Sequence, residues 1–325
     1  MGFFANIILS KFFGEGKINE IMRKVGIGIL FIFIPVLQFK LFLNVDFGSE
    51  EINFAVVAFA NMAFLYLIAY VFAVKRVEKN LSEKEKNYYL RTVIVNQGRS
   101  AAFVGGAILA IEEWAIFAAI YISLLGIFLF AIVPYVLSSI HKREVKESEK
   151  EKNPLPFFLR LYPWYLLLFP VSAVIIHKYT GLTTSSYDWG VILNFFASLT
   201  IPIALYYVGS SIKIKDIKID ELKKLFSGKG VGDAKWVRDI LILTMIITPA
   251  IISLLFGLLL FLKIIPSEWF VVMVLNSILP ITSTNMFLVP YGIDKKVTAL
   301  SVTWTTIFAI PVFVILIEIL SSIFI

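Results

Sequence analysis

Runs of about 20 apolar residues recur along this chain, and they restrict its fold more than any motif, because a run of that length crosses a bilayer core as a helix. Nine such runs lie near 24–43, 52–74, 92–111, 114–139, 158–178, 189–212, 238–262, 267–290 and 297–323. In lipid the main-chain polar groups must be satisfied within the segment, so the expected architecture is all-α and membrane-integral. A shorter stretch at 3–13, with Lys11 inside it, is too short to cross at about 1.5 Å per residue. Composition agrees: 16% of residues are charged, where a soluble domain carries about 25%.

The charges between the runs carry a second message. The segments 75–91, 141–160 and 213–238 are rich in Lys and Arg, whereas 44–51 and 112–113 hold Asp46, Glu50, Glu51, Glu112 and Glu113. Rich and poor loops alternate, which predicts that the rich ones face the cytoplasm and that the C-terminus lies outside the cytoplasmic membrane. The net charge of +7 therefore reads as membrane orientation, not as a nucleic-acid surface. Trp164, Trp189, Trp236 and Trp269 fall at span ends, as an interfacial aromatic belt requires.

The chain also repeats itself. IFIPVLQF (32–39) resembles LTIPIALY (199–206), VIVNQG (93–98) resembles MVLNSI (273–278), and FAIVPYVL (130–137) resembles FAIPVFVI (308–315). The landmarks Pro35, Asn96 and Pro134 thus return in order as Pro202, Asn276 and Pro311. A duplicated unit with an odd number of spans enters the membrane from opposite sides, which predicts two inverted-topology five-helix repeats. They occupy 1–140, with a first helix that is short or truncated, and 158–325, joined by a charged cytoplasmic linker at 141–157.

Two runs are interrupted by polar residues at the same ordinal place in each half. In 92–111 the interruption is Asn96, Gln97, Gly98, Arg99 and Ser100, followed by Gly105 and Gly106; in 267–290 it comprises Asn276, Pro280, Ser283, Thr284 and Asn285. Proline removes a main-chain donor and clashes with the preceding turn, so Pro280 is expected to break its helix. An arginine at membrane depth costs at least about 2.5 kcal/mol, so Arg99 is expected to face the protein interior. Two broken helices meeting at mid-membrane direct half-helix N-termini at one point and suit an anion. The alternative is that Arg99 takes the place of a coupling cation or balances half-helix carbonyl ends. Asn96, Gly98, Arg99, Ser100, Asn276, Ser283, Thr284 and Asn285 are the expected substrate-binding residues, with Gly105, Gly106 and Pro280 at the crossing. Pro35, Gln38, Pro202 and Tyr206 are expected to shape a pocket.

These residues resemble the auxin efflux carrier family. LTIPIALYYVGSSIK (199–213) is similar to the family's Pro-x-x-Leu-x-x-x-Gly-x-x-Leu helix, with Pro202, Leu205 and Gly209 in register and Ile212 for the last leucine. The stretch 279–313 resembles its proline-broken helix, Tyr-Gly-x-Asp turn and final helix; FIPVLQF (33–39) and VNQGRSAAF (95–103) resemble its second and fourth helices. Where the family's fourth helix often runs Asn-x-Gly-Phe-x-Gly-x-Pro, this chain has Arg99, Ala101 and Phe103 at the Phe, second Gly and Pro positions. The resemblance implies ten helices with crossing broken fourth and ninth helices, an arrangement like that of sodium/proton antiporters and bile-acid symporters, and both termini outside. It also implies a small organic anion, expected to be a carboxylate, bound near the crossing and moved by an elevator or rocking alternating-access mechanism.

The partners expected are therefore that anion and the lipid bilayer, with no nucleic acid and with a homodimer left open. The alternative function is a membrane receptor or regulator that binds a small anion without transport. No enzymatic activity is expected: there is no cysteine, only His141 and His177 as histidines, and no nucleotide-binding loop. No cofactor is expected, with sodium or a proton left open as coupling ion.

Overall fold

The computed structural model describes residues 2–100, 108–142, 157–210 and 233–325. Among them there is no strand, and the helices are α1 (Gly2–Phe13), α2 (Glu15–Gly28), α3 (Ile34–Leu43), α4 (Ser49–Arg76), α5 (Glu83–Val95), α6 (Glu112–Ile127), α7 (Val133–Lys142), α8 (Phe157–Thr180), α9 (Trp189–Ser210), α10 (Asp233–Ile242), α11 (Thr248–Phe261), α12 (Ser267–Ile278) and α13 (Lys295–Phe324). Six helical runs are long and apolar enough to cross a membrane: Gly16–Leu43, Ser49–Arg76, Glu112–Leu137, Arg160–Thr180, Asp233–Phe261 and Lys295–Phe324. Their exposed side chains include Val56, Leu67, Val71, Trp164, Leu168, Val171, Leu254 and Leu258. Helices that are apolar on their outer face as well as their inner one belong in lipid, so the chain is a multi-pass membrane protein.

Two of the expected spans are interrupted: 92–111 and 267–290 are not continuous helices, since α5 ends at Val95 and α12 at Ile278. The expected span 189–212 is helical throughout its described part, Trp189–Ser210. Most of the 141–157 linker lies outside the described residues, as do Gly105 and Gly106.

A feature absent from the sequence reading recurs three times. The wide π turns Ile29–Phe33, Phe128–Ile132 and Leu243–Ile247 each end two residues before a proline: Pro35, Pro134 and Pro249. In an α-helix a proline ring collides with the carbonyl four residues back, and a π turn moves that carbonyl out of register. Pro202 and Pro311, which the sequence likeness aligns with Pro35 and Pro134, sit in ordinary α-helix instead.

The chain packs as two compact units, each drawn from three separated stretches. One comprises Met1–Val56, Ala101–Leu124 and Tyr162–Lys213; the other comprises Val57–Ser100, Leu125–Leu161 and Ile214–Ile325. The sequence halves 1–140 and 158–325 divide the chain differently, since each unit takes stretches from both.

In the first unit α9 packs against α1 and α3. The Tyr165 hydroxyl donates to the Phe31 carbonyl at 2.6 Å and the Thr200 hydroxyl to that of Phe33 at 3.1 Å, so side chains meet main-chain acceptors at the first π turn. Gln38 donates to the Ser123 hydroxyl at 2.8 Å. At the polar end, the Asn44 side-chain oxygen accepts from the Thr184 N–H and hydroxyl, both at 3.0 Å, and His177 Nε2 lies 3.1 Å from Asp46.

The second unit is built on α5, α10 and α13. Tyr89, Val93, Val237, Ile240, Leu243, Ile281, Val297 and Trp304 form its buried apolar cluster. Helix α5 opens on a capping box in which Ser82 accepts from the Glu85 N–H and the Glu85 carboxylate accepts from that of Ser82. Helix α13 opens on Asp294, which accepts from the Val297 N–H at 2.8 Å. Of the tryptophans at span ends, Trp236 is half-buried and meets Tyr88 and Tyr89 edge-on, and Trp269 is buried.

Candidate functional site

Helix α12 stops at Ile278 because Pro280 follows. A residue before proline is driven out of the α region, and Leu279 accordingly adopts φ −55°, ψ 147°. The chain runs extended through Ile281 and re-enters a tight 3-10 helix at Ser283–Tyr291, capped by the Thr282 hydroxyl and closed by Gly292 at φ 77°. Helix α5 stops one residue before Asn96, which caps it, and Gln97 and Gly98 turn back on the carbonyls of Ile94 and Val95.

The two interruptions pair with each other. Arg99 and Ile281 form an antiparallel bridge. The Ser100 N–H donates to the Pro280 carbonyl at 2.9 Å, and the Thr282 N–H donates to the Gly98 carbonyl at 2.9 Å. The Ile281 N–H, pointing the other way, donates to the Thr305 hydroxyl on α13. Main-chain groups freed by breaking two helices thus find partners in a two-residue ribbon, as membrane depth requires.

Gly98 is hemmed in by side chains. A Cβ there would lie 2.8 Å from Asn285 Oδ1 and 3.0 Å from Leu129 Cδ1, so no side chain fits without displacement.

Arg99 is 1% exposed, and its guanidinium goes to main-chain carbonyls. One terminal nitrogen lies 3.5 Å from the Leu279 carbonyl and the other 3.4 Å from that of Thr244. Both acceptors sit beside prolines. Leu279 precedes Pro280. In the π register the Thr248 N–H pairs with the Leu243 carbonyl, so the next donor, which would serve Thr244, is that of Pro249, and proline has none. Two helix ends described at this crossing are C-terminal, Val95 and Ile278, and one is N-terminal, the Thr282-capped start of the 3-10 helix Ser283–Tyr291. Arg99 thus lies against carbonyl ends, the contact that one of the sequence alternatives expects, and its positive charge stays at the crossing.

Three asparagines surround the ribbon with their amide nitrogens tied down. Asn96 donates to the Thr92 carbonyl at 2.7 Å and the Thr298 hydroxyl at 3.2 Å; Asn276 donates to the Val272 carbonyl at 2.7 Å; Asn285 donates to the Val95 carbonyl at 2.9 Å. All three are 0% exposed. The carbonyl acceptors fix the amide orientation, and the Asn96, Asn276 and Asn285 Oδ1 atoms have no hydrogen-bond partner among the described residues. Gln97 accepts from the Thr248 hydroxyl at 3.4 Å while its Nε2 has no partner among the described residues. The crossing therefore combines a full positive charge with unmatched acceptors and one unmatched donor group.

Of the sequence-predicted residues, Asn96, Gly98, Arg99, Ser100, Asn276, Pro280, Ser283, Thr284 and Asn285 fall in one compact unit, with Ser283 and Thr284 half-buried. Pro35, Gln38, Pro202 and Tyr206 belong to the other unit, where Pro35 and Gln38 are buried, Tyr206 is half-buried and Pro202 is exposed. A cavity in that unit is lined by Val36, Phe39, Leu168, Phe169, Ser172 and Leu193, and by none of those four.

No family model and no curated protein matches this chain.

Sequence reasoning missed Gln97 as a site residue, together with Thr244, Thr248, Thr298 and Thr305, which hold the crossing from the π turn after α10, from α11 and from α13. Thr298, Ser301 and Thr305 recur at helical spacing along α13, all 0% exposed, and this polar stripe inside an apolar span was the available signal. Among the described residues no group of three or more His, Cys, Asp or Glu is placed to hold a metal ion.

Proposed function

We propose that the chain is a secondary transporter of the auxin efflux carrier type, moving a small organic anion across the cytoplasmic membrane by an elevator or rocking form of alternating access. The observation that carries this reading is the Arg99–Ile281 bridge between two interrupted helices, with a buried guanidinium beside it. Irregular main chain at membrane depth is tolerated where it is enclosed by protein or lines an aqueous path, and paired broken helices are how many transporters build a solute site. Arg99 supplies the charge that attracts a carboxylate, and Gln97 Nε2 supplies a donor for it. The three asparagine oxygens favour a solute that also carries a hydroxyl or amino donor, because unmatched buried acceptors are costly. The likeness between halves supports inverted repeats with the central loop cytoplasmic and both termini outside.

The test is flux in proteoliposomes with a panel of radiolabelled hydroxy- and amino-carboxylates. One or more should accumulate, and Asn96→Ala, Asn285→Ala and Gln97→Ala should each reduce uptake at least tenfold. No uptake of any carboxylate would reject the function; undiminished uptake in all three variants would reject the site.

A further inference from the structure

Asp239 sits in α10 beside Arg238, where it reads in sequence as one more charge at the edge of a basic loop. In the structure it is 0% exposed. Tyr89, 2% exposed on α5, donates its hydroxyl to Asp239 Oδ2 at 3.0 Å, and Oδ1 has no hydrogen-bond partner among the described residues. Tyr89 belongs to the buried apolar cluster that includes Val93, Val237, Ile240, Leu243 and Val297, the last of these on α13.

Arg76, Lys235 and Arg238 lie near enough to act on Asp239 electrostatically, although none is ion-paired with it among the described residues. From the end of α4 and just beyond come Arg76, which is exposed, and Glu78, which is paired with Lys235 of α10. Arg238 is the neighbour in sequence. From α5 come Tyr88, which donates to the Ile293 carbonyl, and Arg91, which donates to that of Gly292. From α13 comes Lys296, paired with Asp233 at 2.8 Å. Asp239 itself makes no ion pair among the described residues.

An ionised carboxylate accepts several hydrogen bonds, and this one receives a single bond in apolar surroundings. A tyrosine hydroxyl both donates and accepts. It donates to the carboxylate, and when a proton from water binds Oδ2 the neutral acid donates to the Tyr89 oxygen instead. The contact therefore survives in both states, and gain or loss of the proton needs no repacking. Buried carboxyl groups inside membrane helices recur in proton relays.

We infer that the Asp239–Tyr89 pair is a reversible proton-binding site. It is linked to the crossing on two sides: Tyr89 lies on α5, which Asn96 caps, and Asp239 lies on α10, which leads into the π turn whose Thr244 carbonyl Arg99 holds. Resting on the transporter reading above, the proton is then the coupling ion.

Infrared difference spectroscopy on the purified full chain in lipid, titrated with pH, tests the site without any substrate. Beyond the bands of exposed carboxyls, wild type should show a distinct carbonyl component of a buried protonated acid that grows as pH falls and shifts in heavy water. Asp239→Asn should lack it, with a wild-type elution profile. Tyr89→Phe should keep the band but change its frequency and midpoint, and decides the matter if Asp239→Asn does not fold. A titrating band unchanged in either variant, or no titrating band in wild type, overturns the inference. A titrating band without flux of any carboxylate leaves the proton site standing and sinks the transport reading; flux without the band does the reverse.

Discussion

The guanidinium of Arg99 lies 3.4 Å from the carbonyl of Thr244, the acceptor for which Pro249 has no N–H to offer. One buried cation, reaching Leu279 on its other side, thus completes two gaps that prolines open in different helices. The pairing explains how an arginine is tolerated among apolar spans, and it yields a direct test. Leaving a buried carbonyl unsatisfied costs about 1–3 kcal/mol. Arg99→Met should therefore destabilise the protein by about 2–5 kcal/mol, and Pro249→Ala, which restores an N–H, should reduce that loss by about 1 kcal/mol in the double variant. Equilibrium unfolding in detergent measures the cycle; strictly additive losses would reject the Thr244 contact as the reason.

Gly98→Ala places a methyl group 2.8 Å from Asn285 Oδ1 and 3.0 Å from Leu129. Overpacking of this kind costs about 1–3 kcal/mol. The melting temperature should drop, and Leu129→Ala should relieve part of the strain. A wild-type melting temperature in Gly98→Ala would show that the ribbon has room to shift.

Gly292 closes the 3-10 helix at φ 77°, with Arg91 Nη2 3.1 Å from where a Cβ would stand. The Arg91 side chain also donates to the Gly292 carbonyl at 2.9 Å. Gly292→Ala combines left-handed backbone strain with crowding of the guanidinium and should cost about 1–3 kcal/mol. Denaturant unfolding that leaves its midpoint in place would contradict this account.

Glu85 gives a pH dependence outside the membrane-spanning segments. Its carboxyl is held below the usual range first by the Ser82 hydroxyl and then by the Ser82 N–H. A carboxylate whose pKa is depressed on folding contributes stability above its unfolded pKa and loses it as pH falls through the folded one. The first turn of α5 should fray on acidification. Hydrogen exchange at the amides of 85–87, corrected for the intrinsic rate, should speed up with falling pH in wild type and show no such step in Glu85→Gln.

Much of the fold was legible before any coordinates, and for a physical reason. A bilayer admits few solutions, so apolar run length alone located the spans, and Pro280 and the Asn96–Ser100 cluster marked the two that break. Boundaries were less legible: the first long helical run begins well before residue 24, because Gly16 to Arg23 form helix without a continuous apolar signal. The π turns at Pro35, Pro134 and Pro249 were not legible either, since Pro202 and Pro311 show that the same residue can sit in regular helix.

The interior polar groups divide along the same line. That Arg99 must be sheltered follows from the sequence, because a charge at that depth has no other stable place. Whether it faces a solute or a carbonyl depends on residues 145 and 180 positions away, Thr244 and Leu279, which only folding brings to it. Asp239 shows the converse: its neighbour Arg238 and the basic stretch before it mark a solvated loop edge, and only the packing of α5 against α10 encloses it beside Tyr89. Local sequence decided which segments leave water and where their helices stop; the tertiary structure decided which donor meets which acceptor, because hydrogen bonding between distant segments has no periodicity to read along the chain.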